Sequence, residues 1–337
     1  MTAAVPLLEV DGLRTQFATR RGIVKAVDGV SFTLNRGETL GLVGESGSGK
    51  SITCLSILRL VPRPAGRIVS GRILLDGEDL MEKSEAEMRR LRGGRAAMIL
   101  QDPLTSLNPG FTVGSQVAEA IRIHQGLRGR VLRERVIDIM ARVGIPQAER
   151  RLKAYPHQMS GGMRQRVAGA IALSCQPSLL IADEPTTSLD ATVQAQYLRL
   201  LRELQEEFAF GLIFVTHDLG IVARLCDRVA VMYAGRIIET GPTRDIFDDA
   251  RHPYASALLE SIPRLEARGQ RLQAIGGQPP VLVDLPAGCP FTPRCPRAMD
   301  ECRQAYPAAV EVNDTHSVSC WLHRDRDERG AARAGPV

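Results

Sequence analysis

Aromatic side chains are scarce in this chain of 337 residues: they make up 4% of it, with a single tryptophan. Nucleic-acid surfaces that stack bases need more of them. No dense basic stripe accompanies the formal net charge of +5, so no nucleic-acid partner is expected. No apolar run approaches the roughly 18 residues that a membrane-spanning helix requires. The opening segment, MTAAVPLLEV, has no basic stretch followed by an apolar one; a signal peptide is not expected, and the cytoplasm is the expected location. Long heptad runs are missing, as are paired C-x2-C motifs. The seven cysteines are odd in number, and four of them crowd the last fifty residues. In a reducing compartment that clustering points to a metal rather than to disulfides. The remaining composition, 44% hydrophobic and 24% charged, is that of an ordinary globular protein. At roughly 100–200 residues per domain the length fits two domains, with a core large enough to need no disulfide staples.

What is present begins with GESGSGKS at 44–51. It fits G-x-x-x-x-G-K-[ST], with Gly44, Gly49, Lys50 and Ser51 at the fixed positions. A short apolar strand (ETLGLV) precedes it and a helical run (SITCLSILRL) follows. That order suits a phosphate. Glycines let backbone N–H groups point inward, so Gly44, Ser46, Gly47, Ser48 and Gly49 are expected to cradle the ligand, and the helix start adds its positive dipole end. Lys50 is placed to reach the β- and γ-phosphates, and the Ser51 hydroxyl to ligate Mg²⁺.

Along the rest of the chain, LLEVDGLRTQF and VKAVDGVSFTL read as strands, and GRILLDGEDL as a strand with an Asp76-Gly77 turn. A charged helix starts at Ser84, and AAMIL is a short strand ending at Gln101. From about 108 to 155 the spacing turns helical. Then come a helix (GMRQRVAGAIALS), a strand (LLIAD), a helix (ATVQAQYLRLLRELQEEF) and a strand (LIFVTH). Such alternation predicts a parallel sheet with both faces covered. RVAVMYAGRIIETG reads as a hairpin turning at Ala234-Gly235. Beyond Gly241 prolines and cysteines mark a loop-rich tail. The last residues read as disordered. Cys54, Cys175 and Cys226, in apolar helical contexts, are expected to be buried small hydrophobes.

Five further stretches resemble, in order and spacing, those of the ATP-binding subunits of ABC transporters; the resemblance covers roughly residues 7–325. LLIADEP ends a buried strand in Asp183, a carboxylate suited to the Mg²⁺ shell, and the resemblance makes Glu184 the base that activates water. MSGGMRQR resembles the family signature, with Met159 and Met163 at its first and fifth positions. Ser160, Gly161 and Gly162 ahead of a helix form a second anion site, which in the family serves ATP bound to the other subunit. Gln101, in LQDPLTSLNP, sits where the family's glutamine ligates Mg²⁺ and approaches the water. His217, in FVTHD, matches the histidine that contacts the γ-phosphate. Asp190, in TSLD, resembles the loop that crosses the dimer interface. Phe17 matches the aromatic that stacks on adenine, although packing in the core would also explain it.

The resemblance therefore implies an α/β P-loop NTPase fold of the ABC cassette type: a mostly parallel core sheet, an antiparallel β subdomain, a helical subdomain at about 108–165 and a small cysteine-containing C-terminal extension. The expected boundaries are 7–245 for the ATP-binding domain, 246–325 for the extension and 326–337 for a disordered tail. HPYASALLESIPR resembles the extension of oligopeptide and dipeptide importer ATPases, a branch that includes nickel importers, and reads as an amphipathic helix with Leu258, Leu259 and Ile262 on one side. Cys289, Cys295, Cys302 and Cys320 could hold a tetrahedral zinc or a 4Fe–4S cluster. Their loose spacing and the resemblance favour the cluster, in a structural role.

The expected activity is ATP hydrolysis driving peptide import, with ATP and Mg²⁺ bound. The expected partners are a second homologous ATPase in a heterodimer, two membrane-spanning permease subunits and an extracytoplasmic substrate-binding protein, with this chain peripheral on the cytoplasmic face of the membrane. A soluble ABC-type ATPase acting on ribosomes or DNA is the alternative, disfavoured by a single cassette without a coiled coil. An importer ATPase for nickel or another small solute is a further alternative. A non-hydrolysing nucleotide sensor is disfavoured by Glu184 and His217.

Overall fold

The computed structural model describes residues 5–101, 106–187, 189–262, 275–283 and 285–324. Strands β1 (Leu8–Thr19), β2 (Gly22–Leu34) and β3 (Thr39–Val43) lead to helix α1 (Lys50–Ile57). Strands β4 (Gly66–Leu75) and β5 (Glu78–Asp79), helix α2 (Glu85–Leu91) and strand β6 (Ala96–Ile99) follow. Then come helices α3 (Val113–Gln125), α4 (Gly129–Arg142), α5 (Ala148–Arg151) and α6 (Gly161–Leu173). The alternating stretch is β7 (Leu179–Asp183), α7 (Ala191–Phe208), β8 (Gly211–Val215), α8 (Leu219–Leu225) and β9 (Arg228–Tyr233). The chain closes with β10 (Arg236–Pro242), α9 (Thr243–Asp249), α10 (Pro253–Glu260), α11 (Glu301–Gln304), β11 (Val310–Asn313) and β12 (His316–Val318).

These elements fall into two compact units. The first comprises Met1–Glu9, Thr33–Thr39 and Ile73–Val215. In it β6, β7 and β8 run parallel, with Ala96 opposite Leu179 and Leu179 opposite Gly211. Every residue of β7 and β8 is buried, as expected of parallel strands covered on both faces. Helices α3, α4 and α6 pack together through Val117, Ile121, Val136, Ile139, Met140 and Val167, all buried. Local signals set the helix starts. Ser84 and Glu87 form a capping box on α2, and the Thr112 hydroxyl accepts the Ser115 N–H at the start of α3.

The second unit comprises Val10–Phe32, Leu40–Arg72 and Thr216–Val337. Here β3 lies parallel to β9, with Leu40 opposite Arg228 and Val43 opposite Val231. Strands β9 and β10 form the expected hairpin, its turn at Ala234 and Gly235 with φ of 48° and 81°, the positive values a two-residue hairpin turn requires. Strand β12 then pairs antiparallel with β10 (Glu239 opposite Val318), and β11 pairs with β12. The tail thus adds two strands beside the hairpin, although no strand pattern is evident there in the sequence. Helix α10 starts with His252 as N-cap and Pro253 at the first position. Its buried anchors are Tyr254 and Ala255, whereas Leu258 and Leu259 are only half-buried, because the tyrosine ring supplies the larger apolar surface. Cys54 and Cys226 are buried as expected; Cys175 is half-buried, with its thiol against the Ala120 carbonyl oxygen at 3.7 Å. The expected disordered tail at 326–337 lies outside the described residues.

Candidate functional site

The phosphate-type loop leaves β3, buried throughout, and enters α1. Two of its glycines are enforced by the surroundings. At Gly44 (φ 149°) an added Cβ would lie 2.1 Å from the Met232 carbonyl oxygen, and at Gly49 (φ 108°) it would lie 2.3 Å from that of Ala26. Any side chain there would push the loop off its seat. Lys50 is only 6% exposed. Its ammonium donates to the carbonyl oxygens of Gly44 at 2.8 Å and Glu45 at 3.0 Å. Ser46 and Gly47 are exposed, and the Ser48 side chain is buried within 3.4 Å of the Lys50 ammonium. A buried cation held on loop carbonyls at the start of a helix is a setting that suits a polyanion.

The first unit assembles the carboxylate end. Asp183, 5% exposed, closes β7. Glu184 follows with a positive φ of 46°, an uncommon conformation for a non-glycine residue. It is fixed there because the Glu184 N–H donates to the Val215 carbonyl oxygen at 2.9 Å. Two donors meet on one oxygen of its side chain. Gln101 Nε2 reaches Glu184 Oε2 at 3.2 Å, and the Thr187 hydroxyl reaches the same atom at 3.1 Å. Strain concentrated at a carboxylate that is held from two sides is a mark of function. Within the first unit, Asp183 and Gln101 carry side-chain oxygens of the hard type that Mg²⁺ takes.

Thr187 was not singled out by motif, although its spacing of three from Glu184 is that of a local hydroxyl turn. The Thr187→Val variant should therefore lower ATP turnover about tenfold with KM for ATP nearly unchanged, since one hydrogen bond to a charged group is lost. Steady-state ATPase kinetics would show this, and unchanged turnover would contradict it.

Ser160 caps α6, its hydroxyl accepting the Met163 N–H at 3.3 Å, with Gly161 and Gly162 as the first two helical residues. A Cβ at Gly162 would come within 2.6 Å of Val193. The Asp190 carboxylate accepts the N–H groups of Thr192 and Val193 at 3.1 and 3.0 Å, so it caps α7. Ser188, two residues before it, lies outside the described residues. His217 is exposed, two residues past the end of β8. Phe17 is half-buried on β1.

With this geometry in place, comparison with known proteins is decisive. Residues 27–187 match the ABC transporter family, and residues 238–302 match the oligopeptide/dipeptide transporter C-terminal region. The chain is 49% identical over 322 residues to the dipeptide transport ATP-binding protein DppD of Bacillus subtilis, covering 96% of each chain. The chain belongs to the ATP-binding subunits of ABC transporters, in the oligopeptide/dipeptide branch. The oligopeptide transport ATP-binding protein OppD of the same organism is also 49% identical, over 96% of this chain and 90% of OppD. Among solved structures, cbiO1 of Clostridium perfringens, part of the transporter complex cbiONQ, superposes with a TM-score of 0.61 at 30% identity, over 72% of this chain and 91% of its own. The cassette MJ0796 bound to ADP and Pi shares the fold, with a TM-score of 0.63 at 24% identity, over 70% of this chain and 99% of its own. The chain is accordingly an ABC-type ATPase with the α/β cassette fold, and ATP with Mg²⁺ is its nucleotide ligand. Among its described residues no helix is long and apolar enough to cross a membrane. An ABC ATPase subunit of this kind is a peripheral, membrane-associated protein.

The tail of this ATP-binding subunit corrects one expectation. Cys289, Cys295, Cys302 and Cys320 line a common cavity together with His252, Phe291, Trp321 and Leu322. Among the described residues, however, no group of three or more His, Cys, Asp or Glu side chains is arranged to hold a metal ion. The iron–sulfur assignment, and the zinc alternative with it, is not supported. The cavity they line offers about 20 Å³, room for about one water molecule and not for a cube of iron and sulfur. Instead the tail is tied by backbone: the Cys289 N–H donates to the Cys302 carbonyl oxygen at 2.8 Å, and the Thr292 hydroxyl shares that oxygen at 3.1 Å.

His252 lies against this cavity, buried, and its Nδ1 accepts the Tyr254 N–H at 3.0 Å. Burial, with a smaller contribution from His323, lowers its pKa from 6.5 to about 3. The unfolded chain therefore takes up a proton below about pH 6.5 that the folded chain refuses until about pH 3. Stability present at pH 7 is lost as pH falls through that window, by about 2 kcal/mol at pH 5 for this group. A His252→Asn variant, which can keep the N-cap, should lose correspondingly less between pH 7 and 5 in denaturant titrations. Equal losses in the two proteins would contradict the assignment.

Proposed function

We propose that this chain hydrolyses ATP to drive the import of di- or oligopeptides. It would work on the cytoplasmic face of the membrane, docked on two permease subunits and paired with a second, non-identical ATPase, while an extracytoplasmic binding protein delivers the peptide. The observation that carries the chemical part is the Glu184 carboxylate, held by Gln101 and Thr187 at the end of β7. Peptide as the cargo class rests on the relatives named above. In this reading the phosphate loop, from Gly44 to Ser51, binds ATP, and Lys50 offsets charge on the β- and γ-phosphates. Ser51, Gln101 and Asp183 would ligate Mg²⁺, which supplies charge neutralisation when bound. Glu184 takes a proton from water as the water oxygen attacks the γ-phosphorus, and the bond to the leaving ADP oxygen breaks. His217 steadies the γ-phosphate, and Phe17 stacks on adenine. Ser160, Gly161 and Gly162 act on ATP held by the partner ATPase, with Asp190 at the dimer interface. Closure of such a dimer on ATP and its release on hydrolysis give the two states that a permease needs. The division into an ATP-binding domain at 7–245, with its helical part at 108–165, and an extension at 246–325 belongs to the same proposal.

Isolation of the native complex from membranes tests the assembly. Two permeases and a second ATPase chain, each stoichiometric with this one, are expected. Co-sedimentation with ribosomes and no permease would overturn the reading, and a complex with two copies of this chain would overturn the heterodimer.

A further inference from the structure

Every polar group of one phosphate-loop residue, Glu45, is engaged, and two of its partners matter here because they come from the tail. The Glu45 carboxylate receives both terminal nitrogens of Arg294, at 2.7 and 2.9 Å, in a two-point ion pair. The Glu45 N–H donates to the Tyr254 hydroxyl oxygen at 2.8 Å. Its carbonyl oxygen accepts from the Lys50 ammonium at 3.0 Å. These contacts bridge 249 and 209 residues of sequence within one compact unit.

The tail residues are themselves firmly seated. The Arg294 side chain is 3% exposed, against 26% for that of Glu45. Its Nε donates to the Gly276 carbonyl oxygen at 2.8 Å, and its Nη1 also reaches the Tyr233 hydroxyl at 3.2 Å. Tyr233, Tyr254 and Phe291 form a three-ring cluster, with centroids 4.6 to 5.4 Å apart, and the guanidinium lies 5.8 Å from two of those rings. The ion pair with Glu45 is the first cause of a strongly raised Arg294 pKa. Arg294 immediately precedes Cys295, so the cysteine-lined fold of the tail sets its place.

We propose that Arg294 and Tyr254 are positioning residues for ATP binding, through which the C-terminal extension sets the shape and charge of the phosphate loop. The inference rests on this loop being the nucleotide site. Tyr254 fixes the plane of the peptide that opens the loop. Arg294 neutralises a carboxylate that would otherwise repel phosphate at close range in a partly dry setting. A tail that is displaced or unfolded releases both constraints together. ATP affinity thereby comes to depend on the integrity of the extension.

The experiment measures ATPase kinetics of the assembled transporter and equilibrium ATP binding by the full chain. Arg294→Met should raise KM and Kd for ATP about tenfold, with a smaller change in kcat, because a charge is left without its partner. Adding Glu45→Gln to Arg294→Met removes the stranded charge and should recover most of the affinity. An arginine acting only as a tether for the tail would give no such rescue, since the double variant still lacks the ion pair. Arg294→Lys should fall between wild type and Arg294→Met. A change of less than about twofold in Arg294→Met, or no recovery in the double variant, would overturn the proposal. Lys50→Ala serves as the control. Loss of ATP binding in Lys50→Ala with wild-type binding in Arg294→Met refutes the tail's role alone, and unchanged binding in Lys50→Ala refutes the loop as the nucleotide site and this inference with it.

Discussion

Glu184→Gln is expected to lower ATP turnover by a factor of about 10²–10⁴, the usual share of a positioned general base, with ATP affinity nearly unchanged. The substitution is nearly isosteric, and the Thr187 hydroxyl can still donate to the remaining carbonyl oxygen. What is lost is the capacity to accept a proton from water. Because ATP would still bind, the variant should accumulate as closed dimers at millimolar ATP, detectable by light scattering together with trapped nucleotide. Turnover within about tenfold of wild type would remove Glu184 from the role of base. The strained φ at this residue adds a second expectation: stability should not fall, since the backbone and its hydrogen bond to Val215 are untouched.

Lys50→Ala should act on the other side of the catalytic cycle. Its ammonium is the buried cation of the loop, and it donates to two loop carbonyls. Removing it leaves those oxygens facing one another and takes away the charge that offsets the phosphates. An ATP affinity lower by about a hundredfold or more is expected for loss of a charge contact in a dry site. Equilibrium binding of ATP measures this directly, and an unchanged Kd would contradict the loop as the nucleotide site. The two variants separate binding from chemistry: one should bind without turning over, and the other should fail to bind.

Much of this was legible in the chain itself because it rests on local physics. Gly44 and Gly49 are readable because only glycine tolerates the approach of the Met232 and Ala26 carbonyls. Apolar runs such as LLIAD and the Ala234-Gly235 turn announce strands and a hairpin through burial and positive φ. The contact of Gln101 with Glu184 spans 83 residues and is not readable; the resemblance marks Gln101 only as a Mg²⁺ ligand near the water. Arg294 on Glu45 was not readable at all, since nothing local to either residue marks the other. The cysteines show the reverse failure. Four thiols close in sequence invite a metal, but burial around a cavity of about 20 Å³ depends on Phe291, Trp321 and Leu322 closing over them, which spacing alone does not reveal. The short strands VEVN and HSV are unreadable for a similar reason, because the pairing of HSV to β10 and of VEVN to HSV is set by partners rather than by their own pattern.

The cassette and its extension therefore work as one device in this account. In the proposed mechanism Glu184, in the first unit, would activate water, and the loop of the second unit would bind the phosphates, steadied by the tail. The most direct measurement places the chain in liposomes with its permeases and partner ATPase, and supplies peptide-loaded binding protein outside and ATP inside. Peptide accumulation that requires ATP, with hydrolysis stimulated by the loaded binding protein and both abolished by Glu184→Gln, is the expected result. Hydrolysis indifferent to the loaded binding protein, or peptide accumulation at the wild-type rate with Glu184→Gln, would contradict it.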